Sequence, residues 1–301
     1  MTYIMTVKVF KNKFIKNIEL DQNLAKFTWF RVGGNAEMLY VPENEQSLIN
    51  FLKNKPIEHK VFVIGAGSNL LIRDKGINGI ILISKKLKKI SIDDEGIISA
   101  QAGAVDAEVA RFARDHERAG LEFLLGIPGT IGGGIKMNSG AFGSEFKDIL
   151  IDVTAINQSG ELRVFSNQEL QMDYRKIGIS DEWIFCAARF KTSSDSKQNI
   201  ENKMKKILNL RKTAQPTGVK TGGSTFRNPV GHKAWELIDK AGCRGLKIGD
   251  AMISDKHCNF IVNLKNSSAQ QIEELGEKVK SKVFETSGIK LNWEIQRVGI
   301  K

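Results

Sequence analysis

The sequence is poor in cysteine. Cys186, Cys243 and Cys258 stand far apart in 301 residues, and none belongs to a C-x-x-C pair. That pattern argues against a disulfide framework or a zinc ribbon, and a reducing compartment is the default. The four histidines, His59, His116, His232 and His257, are scattered without a neighbouring cysteine pair, so no metal constellation is expected. No apolar run reaches the roughly 18 residues that signal a membrane span. The opening "MTYIMTVKVFKNKF" does not resemble a secretory leader, because lysines interrupt its apolar stretch. The expectation is a cytoplasmic protein with no membrane partner. Proline is scarce, at five residues, and no internal repeat or low-complexity segment is visible.

What is present bounds the rest. A chain of 301 residues exceeds most single cores, so two or three domains are expected. An apolar share of 41% with 26% charged residues is ordinary for a globular protein. The net charge of +11 invites a nucleic-acid reading, but the charge is spread along the chain. Its densest stretch, 197–212, places Ile200, Met204, Ile207, Leu208 and Arg211 at helical spacing with most lysines elsewhere. That is the pattern of a solvated amphipathic helix. No zinc finger, ribonucleoprotein aromatic motif or KH-type loop is visible, and no nucleic-acid partner is expected.

Hydrophobic patterning predicts a strand over 36–41, a helix over 45–54, and strands over 61–64 and 79–84. A helix is expected over 105–119. Strands follow over 151–157, 161–165 and 183–190. The amphipathic helix over 197–213 reads as a crossover to a C-terminal domain. That domain holds helices over 232–241 and 268–287 and strands over 258–263 and 291–298. Ser268 and Gln271 have capping-box spacing, and Gly288 lies where a C-cap glycine belongs. The fold class is α+β with segregated domains.

Glycine is concentrated in a few short stretches. "GAGSNLL", 65–71, follows the apolar run "VFVI". It carries two of the three glycines of a dinucleotide fingerprint, with Leu70 at the third position, and no helix pattern follows. A Walker loop fails too, because no G-K-[ST] follows. A strand ending in a nest of free backbone N–H groups remains, and such a nest suits a pyrophosphate. A tight turn between strands is an equal reading of that loop alone. The segment 126–143 has seven glycines in eighteen residues, too many for a regular element. Each glycine costs stability, so this density suggests a place where backbone approaches a ligand. Two such loops in sequential subdomains suggest a diphosphate-containing cofactor.

At this point the residues carry a resemblance. "FTWFRVGGNAE" (27–37), "VFVIGAGSNLLI" (61–72), "GLEFLLGIPGTIGGG" (120–134), "NSGAFG" (138–143), "MDYR" (172–175), "GGSTFRNP" (222–229), "ISDKHCNFIVN" (253–263) and "WEIQRVG" (293–299) occur in order over nearly the whole chain. In them the chain resembles the UDP-N-acetylenolpyruvoylglucosamine reductase family, flavoproteins of peptidoglycan precursor synthesis. No tyrosine-bearing insertion follows Phe190, so the resemblance is to the shorter subclass. "KIGI" after Arg175 and "GIKMNSG" depart from the family's usual wording. The resemblance implies a two-subdomain FAD-binding fold of the vanillyl-alcohol-oxidase type, 1–86 and 87–197, followed by a substrate-binding domain, 198–301. It implies cofactor contacts at Gly65, Gly67, Ser68, Asn69 and Leu70. From the second loop it implies Ile127, Pro128, Gly129, Thr130, Gly132, Gly133, Asn138, Gly140 and Ala141. FAD attached covalently through histidine or cysteine would need such a residue near 65–72 or 126–143; none is there, so non-covalent FAD is expected.

The implied reaction passes a hydride from NADPH through FAD to the enolpyruvyl ether of UDP-N-acetylglucosamine, giving UDP-N-acetylmuramate. Three residues are implied as catalytic. Arg175 in "MDYR" would stabilise the developing enolate with a planar guanidinium fork. Ser224 in "GGSTF" would donate the proton, a weak acid sufficing for so strong a base. Glu294 in "LNWEIQ" would orient the substrate carboxylate, one of the two sharing a proton. Read from the residues alone, Arg175 could pair with Asp173, Ser224 could be a turn or N-cap residue with Thr225 beside it, and Glu294 could be a solvated strand residue. Asn228, Arg244 and His257 are substrate-contact candidates, with Lys247 and Lys256 behind them. Another FAD-dependent oxidoreductase of the same fold is the alternative enzyme reading.

Overall fold

The computed structural model describes residues 18–56 and 58–301. The expectation of no leader over 1–14 lies outside the described residues. The chain forms two compact units. One gathers Met38–Ala66 and Gly79–Leu210 with residues 18–20; the other gathers Asp21–Glu37, Gly67–Asn78 and Arg211–Lys301.

The first unit contains two hydrophobic cores. In one, the helix Glu45–Asn54 is capped by Asn44, whose side chain accepts the Ser47 N–H, and it buries Leu48, Ile49, Phe51 and Leu52. These pack with Met38, Tyr40, Ile80 and Leu82. The sheet beneath runs in the order Ile18–Asn23, Asn35–Tyr40, Ile77–Ile83, Val61–Ile64. Val61 lies opposite Ile80 and Ile64 opposite Ile83 in parallel, so "VFVI" ends where the glycine loop begins.

The other core is built on a five-stranded antiparallel sheet, ordered Leu162–Ser166, Leu150–Ile156, Ile184–Phe190, Ile98–Gln101, Ile90–Ile92. The helix Asp106–Asp115 packs Val109, Ala110 and Ala113 into it. This helix is shorter than the expected 105–119. Glu117 has φ +55, which ends it, and Arg118–Ala119 then pairs as a short strand with Ser193–Ser194. The glycine-rich segment also differs from expectation, since Ile131–Lys136, "IGGGIK", is helical. Its glycines answer to packing: a Cβ on Gly132 would lie 2.9 Å from the Ala102 Cβ, and one on Gly134 would lie 2.3 Å from the Phe146 ring. Helix Lys197–Ala214 buries Ile200, Met204 and Ile207, whereas Leu208 of the expected face is exposed.

The second unit holds an antiparallel sheet ordered Lys220–Ser224, Phe260–Asn263, Ala251–Ile253, Lys247–Ile248. Helix Ala269–Ser287 covers it with Ile272, Leu275, Val279 and Val283. Its Ser268/Gln271 capping box is present, and Gly288 closes it at φ +71. Phe30, Val32 and Leu71 join this core, so 21–37 and 67–78 belong here. The sequence boundary at 86 would leave them with the first cofactor subdomain. The last strand is only Gln296–Val298, parallel to Leu70–Ile72. The rest of the expected 291–298 strand is held by one antiparallel bridge, Trp293 to Phe226. Among the described residues no helix is long and apolar enough to cross a membrane.

Candidate functional site

In the first unit the glycine loops meet at Thr130. A Cβ on Gly65 would lie 2.3 Å from the Thr130 Oγ1. The segment that contains Thr130 is stitched to 102–106. Ile131 N–H donates to Ala104 O at 2.9 Å, Gly132 N–H to Ala102 O at 2.8 Å, and Asp106 N–H to Gly129 O at 3.2 Å. The N–H groups of residues 131 and 132 are therefore occupied. The Thr130 Oγ1 is buried without a hydrogen-bond partner, beside the bare backbone of Gly65. An unsatisfied hydroxyl next to a surface cleared of side chains is what a bound diphosphate or ribityl group would complete. These residues fit FAD. Ile127, Pro128 and Gly129 lead into this site half-buried, and Gly133 continues it as the first helical glycine whose added Cβ would clear its neighbours by 3.6 Å.

Sequence reasoning missed Asp106. Its carboxyl is fully buried, and both oxygens lack a hydrogen-bond partner. One of them lies 2.6 Å from where a Gly129 Cβ would sit. Burial pushes its pKa well above the usual carboxylate range. The folded-state pKa is thus raised above the unfolded value. The native state holds a proton that the unfolded chain has released, and stability falls as pH rises from about 4 towards the folded pKa. Asp106→Asn is expected to remove this slope: its thermal midpoint should exceed wild type at pH 8, with the gap closing by pH 4, in scans at equal flavin occupancy. Parallel curves for the two proteins would show that Asp106 finds a partner.

Asn138 is buried with φ +38. Its Nδ2 donates to Glu145 Oε2 at 3.0 Å and to Asp173 O at 3.2 Å, and its Oδ1 accepts the Lys147 N–H at 3.0 Å. Its side chain therefore fastens the "MDYR" turn to the glycine segment. Asp173 and Lys176 close that turn with reciprocal backbone bonds of 3.0 and 3.1 Å, and Arg175 occupies its corner at φ +56. A non-glycine residue in the left-handed region costs on the order of 1 kcal/mol or more and persists only where its surroundings hold it. Arg175 Nη1 reaches Asn138 O at 3.4 Å, and the guanidinium lies 5.1 Å from the Tyr174 ring centre. Gly140 and Ala141 form one arm of a hairpin with Ser144 and Glu145, turning at Phe142 and Gly143.

In the second unit Gly67–Asn69, Ser224 and Glu294 lie on one framework. Gly67 has φ +65, its carbonyl accepts the Trp29 N–H at 3.1 Å, and a Cβ there would lie 2.0 Å from Phe27 O. The Ser68 carbonyl lies 3.9 Å from where a Cβ on Gly223 would sit. Leu70 is buried at the start of the next strand. Ser224, half-buried, ends the strand Lys220–Ser224 opposite Phe260. Beyond it the chain runs antiparallel to the Glu294 segment: Glu294 N–H donates to Thr225 O at 2.9 Å, and Arg227 N–H to Asn292 O at 2.9 Å. Asn259 secures the near side. Its Oδ1 accepts the Phe226 N–H at 2.9 Å, its Nδ2 donates to Phe226 O at 2.8 Å, and its carbonyl accepts the Thr225 N–H at 2.7 Å. Glu294 is half-buried just before the final strand, rather than on the polar face of a longer one. Trp293 is held from behind by its Nε1 donating to Glu277 at 2.6 Å and by the Arg297 guanidinium 4.5 Å from its ring centre. Arg297 and Arg73 share Glu273 at 2.9 and 3.0 Å, and the hydrogen bond from Arg73 offsets partial burial to hold the Glu273 carboxyl below its usual range.

The secondary candidates are occupied in various ways. The Asn228 Oδ1 accepts the Ala234 N–H at 2.9 Å, at the start of the helix Ala234–Lys240. Arg244 grips Asp239 at 2.9 and 2.7 Å, a pairing that raises the Arg244 pKa. Lys256 Nζ donates to Lys212 O at 2.5 Å. His257 has its pKa lowered by burial, and its Nδ1 accepts the Asn259 N–H at 3.2 Å, which assigns the ring proton to Nε2. Arg175 belongs to the other unit. Among the described residues no group of three or more His, Cys, Asp or Glu side chains is placed to hold a metal ion.

Comparison with known proteins matches two parts of the chain. Residues 36–166 match the family model of an FAD binding domain, and 215–298 match the C-terminal domain of UDP-N-acetylenolpyruvoylglucosamine reductase. A protein of that name from Paramagnetospirillum magneticum is 47% identical over 285 residues, covering 94% of this chain and 92% of its own. Another from Rickettsia bellii is 44% identical over 296 residues, covering 98% and 97%. The crystal structure of the reductase from Thermus caldophilus superposes with a TM-score of 0.80 at 33% identity, covering 93% of this chain and 97% of that one.

Proposed function

The chain belongs to the UDP-N-acetylenolpyruvoylglucosamine reductase family, and from that premise we propose that it is an FAD-dependent, NADPH-driven reductase. Its substrate is the enolpyruvyl ether of UDP-N-acetylglucosamine, its product is UDP-N-acetylmuramate, and its place is peptidoglycan precursor synthesis in the cytoplasm. The fold is the α+β FAD-binding fold of the vanillyl-alcohol-oxidase type with a C-terminal domain. Three hydrophobic cores support a three-part division close to 1–86, 87–197 and 198–301, with 21–37 and 67–78 exchanged into the last part and 198–210, whose Ile200 and Met204 join the middle core, taken out of it.

The observation that carries the mechanism is the pairing of the chain after Ser224 with the Glu294 segment, Glu294 N–H to Thr225 O at 2.9 Å. It puts a hydroxyl and a carboxyl on adjacent antiparallel segments with fixed backbones. When bound, FAD supplies a hydride, taken from NADPH, to the methylene carbon of the enolpyruvyl group. The residues of this chain manage the charge and the proton. Ser224 Oγ gives its proton to the neighbouring carbon, which otherwise remains an enolate. Arg175 stabilises the developing negative charge on the substrate carboxylate, its turn pre-set by the Asn138 bridge. Glu294 holds the carboxylate oriented. Gly65, Thr130, the backbone of 127–133 and the backbone of Gly67–Leu70 are the groups that would hold the diphosphate cofactor. Asn228, Arg244 and His257 contact the sugar nucleotide. A net charge of +11 suits a protein whose two substrates are both polyanions.

The test is spectroscopic. The purified protein is expected to be yellow or to bind added FAD. Anaerobic NADPH should bleach the visible band, and the enolpyruvyl substrate should restore it. A colourless protein that cannot be reconstituted with FAD overturns the reading.

A further inference from the structure

The reading above gives Asn69 the role of a cofactor contact, but its side chain is committed elsewhere. Asn69 Nδ2 donates to the carbonyl of Glu294 at 3.2 Å, across 225 positions of sequence. The Asn69 carbonyl accepts the Gln296 N–H at 3.0 Å, and the strand Leu70–Ile72 then runs parallel to Gln296–Val298. On its other side Glu294 donates its N–H to Thr225 O at 2.9 Å. Thr225 is itself sealed in place: it is fully buried, and its Oγ1 accepts the Ile261 N–H at 3.1 Å. The N–H and C=O of Glu294 are thus gripped from opposite sides. The residue after Ser224 takes one, and an asparagine of the cofactor loop takes the other. With both held, the Cα–Cβ direction of Glu294 is set, in a stretch that is not part of a regular strand.

We propose that Asn69 is a positioning residue for Glu294, through which the loop carrying Gly67 and Ser68 aims the carboxyl at the substrate. The inference rests on the catalytic role given to Glu294 above. A donor is required at this point. An alanine leaves the Glu294 carbonyl without this bond, and an aspartate sets an acceptor against an acceptor. A misplacement of about 1 Å in such a group can lower a rate by about 100-fold. The effect must pass through the Glu294 side chain, which distinguishes positioning from general support of the fold.

A double-mutant cycle reads this directly. Asn69→Ala, Asn69→Asp, Glu294→Gln and the two combinations are compared with FAD saturating, by NADPH oxidation with the enolpyruvyl substrate. Each Asn69 variant alone is expected to lower kcat by about 10- to 100-fold. In the Glu294→Gln background, either Asn69 change should cost less than about twofold, because the group being aimed is already gone. Asn69→Asp, equal in size to asparagine, carries the test if the alanine variant does not fold. Losses that multiply in the double variants overturn the proposal, as does an Asn69→Ala loss that is seen only at subsaturating FAD and vanishes at saturation. Wild-type turnover in the same assay separates the two failures. With turnover and multiplying losses, the Asn69 role falls alone; without turnover, the reductase reading falls with it.

Discussion

Ser224→Ala is expected to lower kcat with the enolpyruvyl substrate by about 10²- to 10⁴-fold, the range that a positioned proton donor supplies. The loss should be selective. Bleaching of the flavin by NADPH does not need this proton, so it should persist. The return of colour on adding substrate should collapse. Anaerobic stopped-flow at the visible flavin band measures both phases on one sample. The geometry excludes the nearest substitute. Thr225 is fully buried, its Oγ1 accepts from Ile261 and its amide is bonded to Asn259, so it cannot take over from its neighbour. Normal turnover in Ser224→Ala would therefore remove the proton-donor role from this strand altogether. Thermal stability should change little, because Ser224 is only half-buried.

Local signals were legible wherever one force dominated. The helix Glu45–Asn54 follows from period and cap, and Ala269–Ser287 from a capping box and a left-handed glycine. In "IGGGIK" two forces competed. Glycine propensity argues against a helix, yet contacts with Ala102 and Phe146 crowd out a side chain at Gly132 and Gly134, so tertiary packing prevails. The missing third glycine of "GAGSNLL" spoke against a helix after the loop, and none forms there; the short strand Leu70–Ile72 that follows carried no signal of its own in the sequence. What one sequence could not disclose was the partner of that strand. It pairs in parallel with Gln296–Val298, a contact that no local periodicity encodes. For the same reason Asn69 read only as a phosphate contact, and its bond to Glu294 came from the fold. Asp106 was silent as well, since an acidic residue in the first turn of a helix ordinarily faces solvent. Its burial depends on the 127–130 segment lying over it.

Gly67→Ala is expected to be severely damaging for a single methyl addition, and the damage divides into two measurable parts. The first is backbone strain. Gly67 has φ +65, where an L side chain costs about 1–2 kcal/mol. Gly218 isolates this part: it has φ +71 in the same unit, and a Cβ there meets nothing within 4 Å. Gly218→Ala should therefore cost only the strain, lowering the thermal midpoint by a few degrees at roughly 2–4 °C per kcal/mol. The second part is collision. The Cβ of Gly67→Ala would lie 2.0 Å from Phe27 O and 3.1 Å from the Thr28 Cα, all backbone that no rotamer change can clear. Residues 27–28 must move, and with them the Trp29 N–H bond to Gly67 O and the course of Ser68 and Asn69. The total should exceed about 4 kcal/mol, at the extreme of single substitutions. Flavin titration gives the functional readout. Gly218→Ala should retain one FAD per chain, while Gly67→Ala should bind FAD weakly at any temperature where it remains folded. Equal midpoint losses in the two variants would show that the loop at Gly67 yields, and that its φ alone, not its close approach to Phe27, requires glycine there.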